Sequence, residues 1–485
     1  MTTEATYPYA VGGVSSWCEL LLANITDVRW QILPIVAAGT VKPAFELPAH
    51  AELVGRIELW AERLPRGASR LPRDLASEPD IPGTLVRELI GWGGDMRALT
   101  EALVSCRAHG PRGIRAIFRR RSGWEGFLSG LRSVLLEKDP EAGTLPDLDV
   151  LDAARLYQTL YWLAQTATAA TPETDVLHVT AAGWAGVPAI VHKALHDTPL
   201  ILTEHGVYVR EAYLAAVRSQ GSAGARFIAT RLPRGLARLA YSAADLVLPV
   251  TGSNAQWEEE LGVDPERIRV IYNGVDDGEL SPLPRTGTVI SIGRLDPLKD
   301  IHTMLRVAKQ VVERTPQARF LHYGPPTQGQ EAYARSCYAL HAKLGLGERF
   351  RFMGPTNDPI GALEAADLVI LTSISEGLPL AILEGMSKGR AVVATRVGGV
   401  AEVVRGAGFV AAPGDVHGLA SAVTTLVRNP DLARRLGERA QGRVGRVFAR
   451  HGCVQAYRRV YSEIIAERPE APALAADLQA LARES

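Results

Sequence analysis

Short runs of β-branched and apolar residues alternate with longer helical stretches twice over in this chain, and that double alternation points to parallel α/β sheets. In the second half the runs TVISIG, ARFLHYG, RFRFMG, ADLVILTS, AVVATR and GFVAA all fall within residues 288–412. Each is short and rich in residues that suit a strand buried on both faces, and the stretches between them leave room for crossover helices. That is enough for a complete doubly wound domain. In the first half DVLHVT, PLILTEH and ADLVLPVT, at residues 175–180, 199–205 and 244–251, repeat the pattern.

At 485 residues the chain is too long for one ordinary core, and 47% hydrophobic residues mark it as globular. Its 53 basic residues balance its 53 acidic ones, which argues against a general nucleic-acid binder. The join between the two α/β domains is expected near SPLPRTG, residues 281–287, where two prolines and a glycine interrupt the pattern. This gives a first domain over 1–283, a second over 284–455, and a terminal helix and tail over 456–485. Residues 45–150 read as a mostly helical insertion, with prolines and acidic turns around 64–82. It carries a basic cluster, Arg112, Arg115, Arg119, Arg120 and Arg121, near Phe118 and Trp124, for which a solvated helix face is the plainest account. Near the end, Val454, Tyr457, Val460, Tyr461 and Ile464 form a helical apolar stripe, and the tail from Pro469 is rich in alanine and charge. The opening residues 1–6 leave almost no room for the apolar strand that usually precedes a glycine turn, so the first strand is expected to be stunted unless translation starts upstream.

Cys18, Cys106, Cys337 and Cys453 are scattered without metal-ligand spacing, so no metal site or disulfide framework is expected and a reducing cytoplasm is the simpler setting. No apolar run approaches the ~20 residues of a membrane span, and the start lacks the features of a signal peptide. Any membrane role is expected to be peripheral, at the inner face.

The densest chemistry lies in SISEGLPLAILEGMSKGRAVVATRVGGVAE, residues 373–402. Gly377, Leu378, Pro379 and Leu380 form a turn that opens a helix, with Pro379 expected as its first residue. Free amides at such a terminus suit a diphosphate. Glu376 lies just outside the helix and Glu384 inside it, where carboxylates can accept from the hydroxyls of a sugar and a ribose. A lone pair of glutamates at this spacing is more often a solvated surface feature. Here, however, VISIGRLDPLKD, residues 289–300, sets Arg294 and Lys299 on a strand-to-helix loop, where two cations can clamp one diphosphate.

With VIYNGVD, FRFMGP and VGGVAE at residues 270–276, 350–355 and 397–402, this set resembles the family-four retaining glycosyltransferases of the GT-B fold. TYPYAVGGVSSW at 6–17 and ILTEHGVYVREAYL at 201–214 narrow the likeness to the PelF group, which makes the Pel polysaccharide. The resemblance implies two doubly wound Rossmann-like domains facing a cleft, and transfer of a sugar, with UDP-glucose the expected donor, to a hydroxyl acceptor with retention. It needs no metal and no cofactor beyond the donor. His205 is implied to contact the donor sugar, and Glu376 to position it. Glu384 is implied to hold the ribose, and the backbone at Phe352 and Met353 to face the base. Gly12 and Gly13 would bring amides to the phosphates or the acceptor. Tyr208, Arg210 and Glu211 follow His205 on the same loop, and His178 is a weaker candidate. Contact with a membrane polysaccharide-secretion assembly also follows from the likeness. Two rivals stand beside this reading: a GT-B sugar-nucleotide epimerase, and a non-catalytic scaffold of such an assembly.

Overall fold

The computed structural model describes residues 1–37, 42–60, 80–136, 147–219, 221–327 and 329–466. The chain divides into two compact units. One comprises Met1–Pro249, Ala255–Arg269 and Arg458–Ser485, the other Val250–Asn254 and Val270–Tyr457.

The first unit is built on a parallel sheet of β1 (Thr2–Glu4), β2 (Trp30–Ala37), β3 (Ala51–Leu53), β4 (Ile57–Leu59), β5 (Leu177–Val179), β6 (Leu200–Glu204) and β7 (Leu246–Pro249). Its order is β3-β2-β1-β5-β6-β7, with β4 paired to the carboxyl end of β2. The first strand is present but polar and only three residues long. Thr2, Thr3 and Glu4 pair with Leu33, Pro34 and Ile35 of β2, and Thr2 also pairs with Val179 of β5, so this strand lies in the sheet interior. Thr3 tolerates burial because its hydroxyl donates to the Tyr7 carbonyl at 2.6 Å.

Residues 45–150 hold β3 and β4 before the helices Ile81–Ile90, Met96–Arg119 and Arg121–Leu136. Phe118 turns inward and Trp124 packs on Phe127 and Tyr157, whereas Arg112, Arg119 and Arg121 are exposed and Arg121 pairs with Glu125. The cluster is therefore the outer face of amphipathic helices, kinked at Gly110 where the backbone leaves helical geometry ahead of Pro111. Most of the segment 64–82 and the tail from Pro469 lie outside the described residues.

The second unit carries β8 (Thr288–Ile292), β9 (Arg319–Tyr323), β10 (Phe350–Gly354), β11 (Leu368–Leu371), β12 (Ala391–Thr395) and β13 (Gly408–Ala411), all parallel, in the order β10-β9-β8-β11-β12-β13. The run LVIL of β11 and AVVAT of β12 are buried throughout, as strands covered by helices on both faces must be. SPLPRTG is part of this unit. The Ser281 hydroxyl donates to Glu364 at 2.9 Å, the Pro282 carbonyl accepts from Arg390 at 3.1 Å, and the Arg285 amide donates to Asp367 at 2.6 Å.

In each sheet the order reverses once: between β1 and β5 in the first unit, and between β8 and β11 in the second. Open α/β sheets bind ligands beyond the carboxyl ends of strands at such switch points. Among the described residues no helix is long and apolar enough to cross a membrane.

Candidate active site

In the second unit the loops that follow β8 and β11 are stitched together. The Thr372 hydroxyl donates to the carbonyls of Lys299 and Asp300 at 2.9 and 3.0 Å, and the Ile374 amide donates to Leu298 at 2.7 Å. This brings side chains from distant sequence into one cluster. Lys299 Nζ donates to Glu376 Oε1 at 2.6 Å, and Ser373 Oγ donates to the same oxygen at 2.5 Å. The Glu376 side chain keeps only 9% of its surface exposed, against 27% for Lys299. Arg294 is exposed on the same loop as Lys299 and has no ionic partner among the described residues.

Pro379 sits one step earlier than expected. It is the N-cap, with φ −73° and ψ 111°, and the helix is Leu380–Ser387. The Pro379 carbonyl accepts from Ile382 at 3.1 Å, so the ring fixes the entry angle and its oxygen starts the helical bonding. No side chain caps this terminus. Leu378 is buried, and Glu384 projects from the helix half-buried, without a hydrogen-bonded partner among the described residues. Burial raises the Glu384 carboxyl above the ordinary range.

Two glycines hold the Glu376 turn in place. Gly398 has φ +49°, and a Cβ there would lie 1.8 Å from the Glu376 carbonyl oxygen. The next amide, Gly399, donates to the Gly377 carbonyl at 3.0 Å. The Gly-Gly of VGGVAE is thus required by a close backbone approach. In the same motif the Glu402 carboxylate accepts from the amides of Gly252 and Ser253 at 3.0 and 2.8 Å and from the Tyr272 hydroxyl at 3.2 Å, capping the helix Gly252–Glu260. Phe352 and Met353 lie on the edge strand β10, two strands from the switch point. The Phe352 ring packs among Tyr338, Phe350, His322 and His341, while Met353 is exposed. The Gly354 carbonyl accepts from Gly324 at 2.8 Å, tying the end of β10 to the loop after β9.

In the first unit His205 follows β6. Its ring meets Trp17 edge to face at 4.6 Å, and burial lowers its pKa to about 3, so the imidazole is neutral at physiological pH. Nε2 of His205 is buried without a partner among the described residues. His178 is different. Its nitrogens bond the Thr203 hydroxyl and the Tyr461 hydroxyl, each at 2.8 Å, which makes it a structural histidine. Gly12 and Gly13 are exposed where the helix Gly13–Asn24 begins, with no atom within 4 Å of a Cβ placed on Gly12.

Two glutamates that sequence reading passed over organise this end of the first sheet. Glu204 closes β6 and accepts from the Tyr208 amide at 3.0 Å and the Tyr241 hydroxyl at 2.7 Å. Glu4 closes β1 and accepts from the Tyr208 hydroxyl at 3.1 Å and the Ala185 amide at 3.2 Å. Tyr208 is therefore a clamp between two strands. Burial raises both carboxyls, and Glu258 beside Glu204 is pushed up to about 10 by burial and by the Glu204 charge. The available signal was a glutamate ending an otherwise uncharged strand run in both TTE and LILTE.

Known proteins agree with this architecture. Residues 281–443 match the family described as "Glycosyl transferases group 1". Among solved structures, sucrose-phosphate synthase from Thermosynechococcus elongatus superposes with a TM-score of 0.61 at 18% identity, covering 96% of this chain and 98% of that one. The Anabaena protein HepE, solved in complex with UDP, gives 0.53 at 24% identity over 64% and 84%. These structural likenesses show the GT-B fold, and the group 1 match lies within the chain's second unit.

Residues 1–266, more than half of the chain, match the family described as "Domain of unknown function (DUF3492)", and the protein belongs to it. Curated relatives include D-inositol 3-phosphate glycosyltransferase of Nocardia farcinica, 31% identical over 41% of this chain and 48% of its own length. Another is N-acetyl-alpha-D-glucosaminyl L-malate synthase of Bacillus anthracis, 25% identical over 47% and 62%. The chain thus spans about half the length of the curated relatives it matches.

Proposed function

We propose that this protein moves a glucosyl group from UDP-glucose to a hydroxyl acceptor with retention of configuration, as PelF-like enzymes do. The observation that carries the reading is the Lys299–Glu376–Ser373 cluster beside an uncapped helix terminus at the switch point of the second sheet. Lys299, Arg294 and the amides around Leu378 and Leu380 meet the diphosphate, where negative charge grows as the bond between C1 and the phosphate oxygen breaks. One well-aimed donor of this kind contributes about 3 to 4 kcal/mol. In a front-face transfer the acceptor oxygen bonds C1 from the side the phosphate leaves, and its proton passes to the departing phosphate oxygen.

Glu376 positions the donor sugar, its carboxylate held by hydrogen bonds from Lys299 and Ser373. His205 contacts the same sugar as a neutral group. Glu384 accepts from the ribose hydroxyls, the backbone of Phe352 and Met353 faces the base, and Gly12 and Gly13 offer amides to phosphate or acceptor. No metal is needed, since cations and helix amides already face the anion. A cytoplasmic seat, with at most peripheral contact to a membrane secretion assembly, accompanies the reading. The rival scaffold reading drew on a missing first strand, and β1 paired on both sides removes that ground.

Isothermal titration against UDP, GDP and ADP in EDTA, followed by the matching glucose donors, tests the proposal. Selective UDP binding supports it. A folded protein that binds none of the three overturns it, and glucose-donor epimerisation without an acceptor turns the assignment to the epimerase.

A further inference from the structure

Three tryptophans of the first unit converge at the switch point of its sheet. Trp60 directly follows β4, which extends the carboxyl end of β2, and Trp184 lies in the loop that follows β5. Between those strands runs β1. The Trp60 ring centroid lies 6.2 Å from that of Trp184, edge to face, and 6.1 Å from that of Trp162 of the helix Val150–Ala167, tilted to it. Trp162 and Trp184 are half-buried, whereas Trp60 keeps 43% of its surface exposed.

An aromatic cluster of this kind is ordinarily core. Two observations set Trp60 apart. Its backbone is left-handed, φ +62°, a region that a bulky residue rarely occupies, and the residue stays partly exposed beside its two half-buried neighbours. Its support is also rigid. The Ala185 amide next to Trp184 is held by Glu4, and a Cβ on Gly183 would lie 2.6 Å from both Glu4 Oε2 and the Tyr208 ring, so this loop is packed down onto the end of β1.

We propose that Trp60, braced by Trp184 and Trp162, is a stacking platform for the acceptor, and that the acceptor is an uncharged saccharide. This rests on the glycosyl-transfer reading. A pyranose has one face of C–H groups rimmed by hydroxyls, so it gains from packing on a braced, partly exposed indole while its rim stays hydrated. A small carboxylated or phosphorylated alcohol has no such face and needs a cation. Arg56, just before β4, is already paired with Glu58 and lies over the Tyr9 ring at 5.8 Å.

The test titrates intrinsic fluorescence of the full chain with maltotetraose, cellotetraose and chitotetraose, with malate and inositol 1-phosphate as charged comparators. UDP affinity is measured in parallel. At least one tetrasaccharide is expected to shift the emission, with Trp60→Ala weakening it at least tenfold, Trp60→Phe weakening it less, and UDP affinity unchanged in both. The platform is overturned if no tetrasaccharide binds a protein that binds UDP, if the tetrasaccharide binds Trp60→Phe and Trp60→Ala as tightly as the parent, or if only the charged comparators bind. A parent that binds a tetrasaccharide through Trp60 but no nucleotide keeps the platform and removes the transfer reading.

Discussion

Adding a single methyl group at Gly398 should displace the Glu376 turn of the second unit. Two costs combine in Gly398→Ala. The residue has φ +49°, where a Cβ costs roughly 1–2 kcal/mol. That Cβ would also stand 1.8 Å from the Glu376 carbonyl oxygen and 2.8 Å from its carbon. The obstacle is backbone, so no side chain can rotate away. Reaching even a 3.0 Å contact requires the Glu376 turn to withdraw by about 1.2 Å, and overpacking of this kind costs roughly 1–3 kcal/mol. Together the destabilisation is about 2–5 kcal/mol. Because the displaced residue carries the carboxylate bonded to Lys299 and Ser373, turnover should fall about a hundredfold, the usual consequence of a 1 Å misplacement. Urea unfolding gives the first quantity, and initial rates with UDP-glucose give the second. Gly12→Ala is the control, since its backbone is extended and its Cβ meets nothing within 4 Å, so its stability should stay within about 0.5 kcal/mol of the parent. If Gly398→Ala unfolds at the same urea concentration as Gly12→Ala, the steric reasoning is refuted.

Other changes probe separate interactions. Lys299→Ala and Arg294→Ala should each weaken UDP affinity about tenfold or more, whereas Glu376→Ala should mainly slow turnover of the intact donor; equal calorimetric UDP affinities in all three variants and the parent would remove the clamp assignment. The raised Glu258 carboxyl makes the folded state bind more protons than the unfolded state between about pH 4.5 and 10, so its contribution to stability is full below that window and declines as pH rises through it. Glu258→Gln should flatten that decline, read as urea midpoints at pH 6 and pH 9, and parallel pH slopes in variant and parent would contradict the assignment. Tyr461→Phe removes the 2.8 Å bond to buried His178 and should cost about 1–3 kcal/mol by thermal unfolding, with no loss expected if that bond carries no weight.

The strand runs from TVISIG to GFVAA and the motif loops after them were legible in the linear chain. A strand buried on both faces announces itself within five residues, and a glycine or proline turn within three. Arg294, Lys299, Glu376 and Glu384 were singled out that way as candidates, each near a recognisable turn. The same local logic placed Pro379 one residue too far into its helix, because a cap position cannot be read without the backbone hydrogen bonds that define it, whereas the stunted first strand it expected is there as the three residues Thr2–Glu4. Only the folded chain decided that Glu4 and Glu204 would share Tyr208, that Glu402 would cap Gly252 and Ser253, that Gly398 would lie against Glu376, and that Trp60 and Trp184 would meet. Each of those facts joins residues that are well separated in sequence. Their neighbours in the chain carry no trace of the partner, since polar contacts and close approaches are set by which strand ends the sheet order brings side by side.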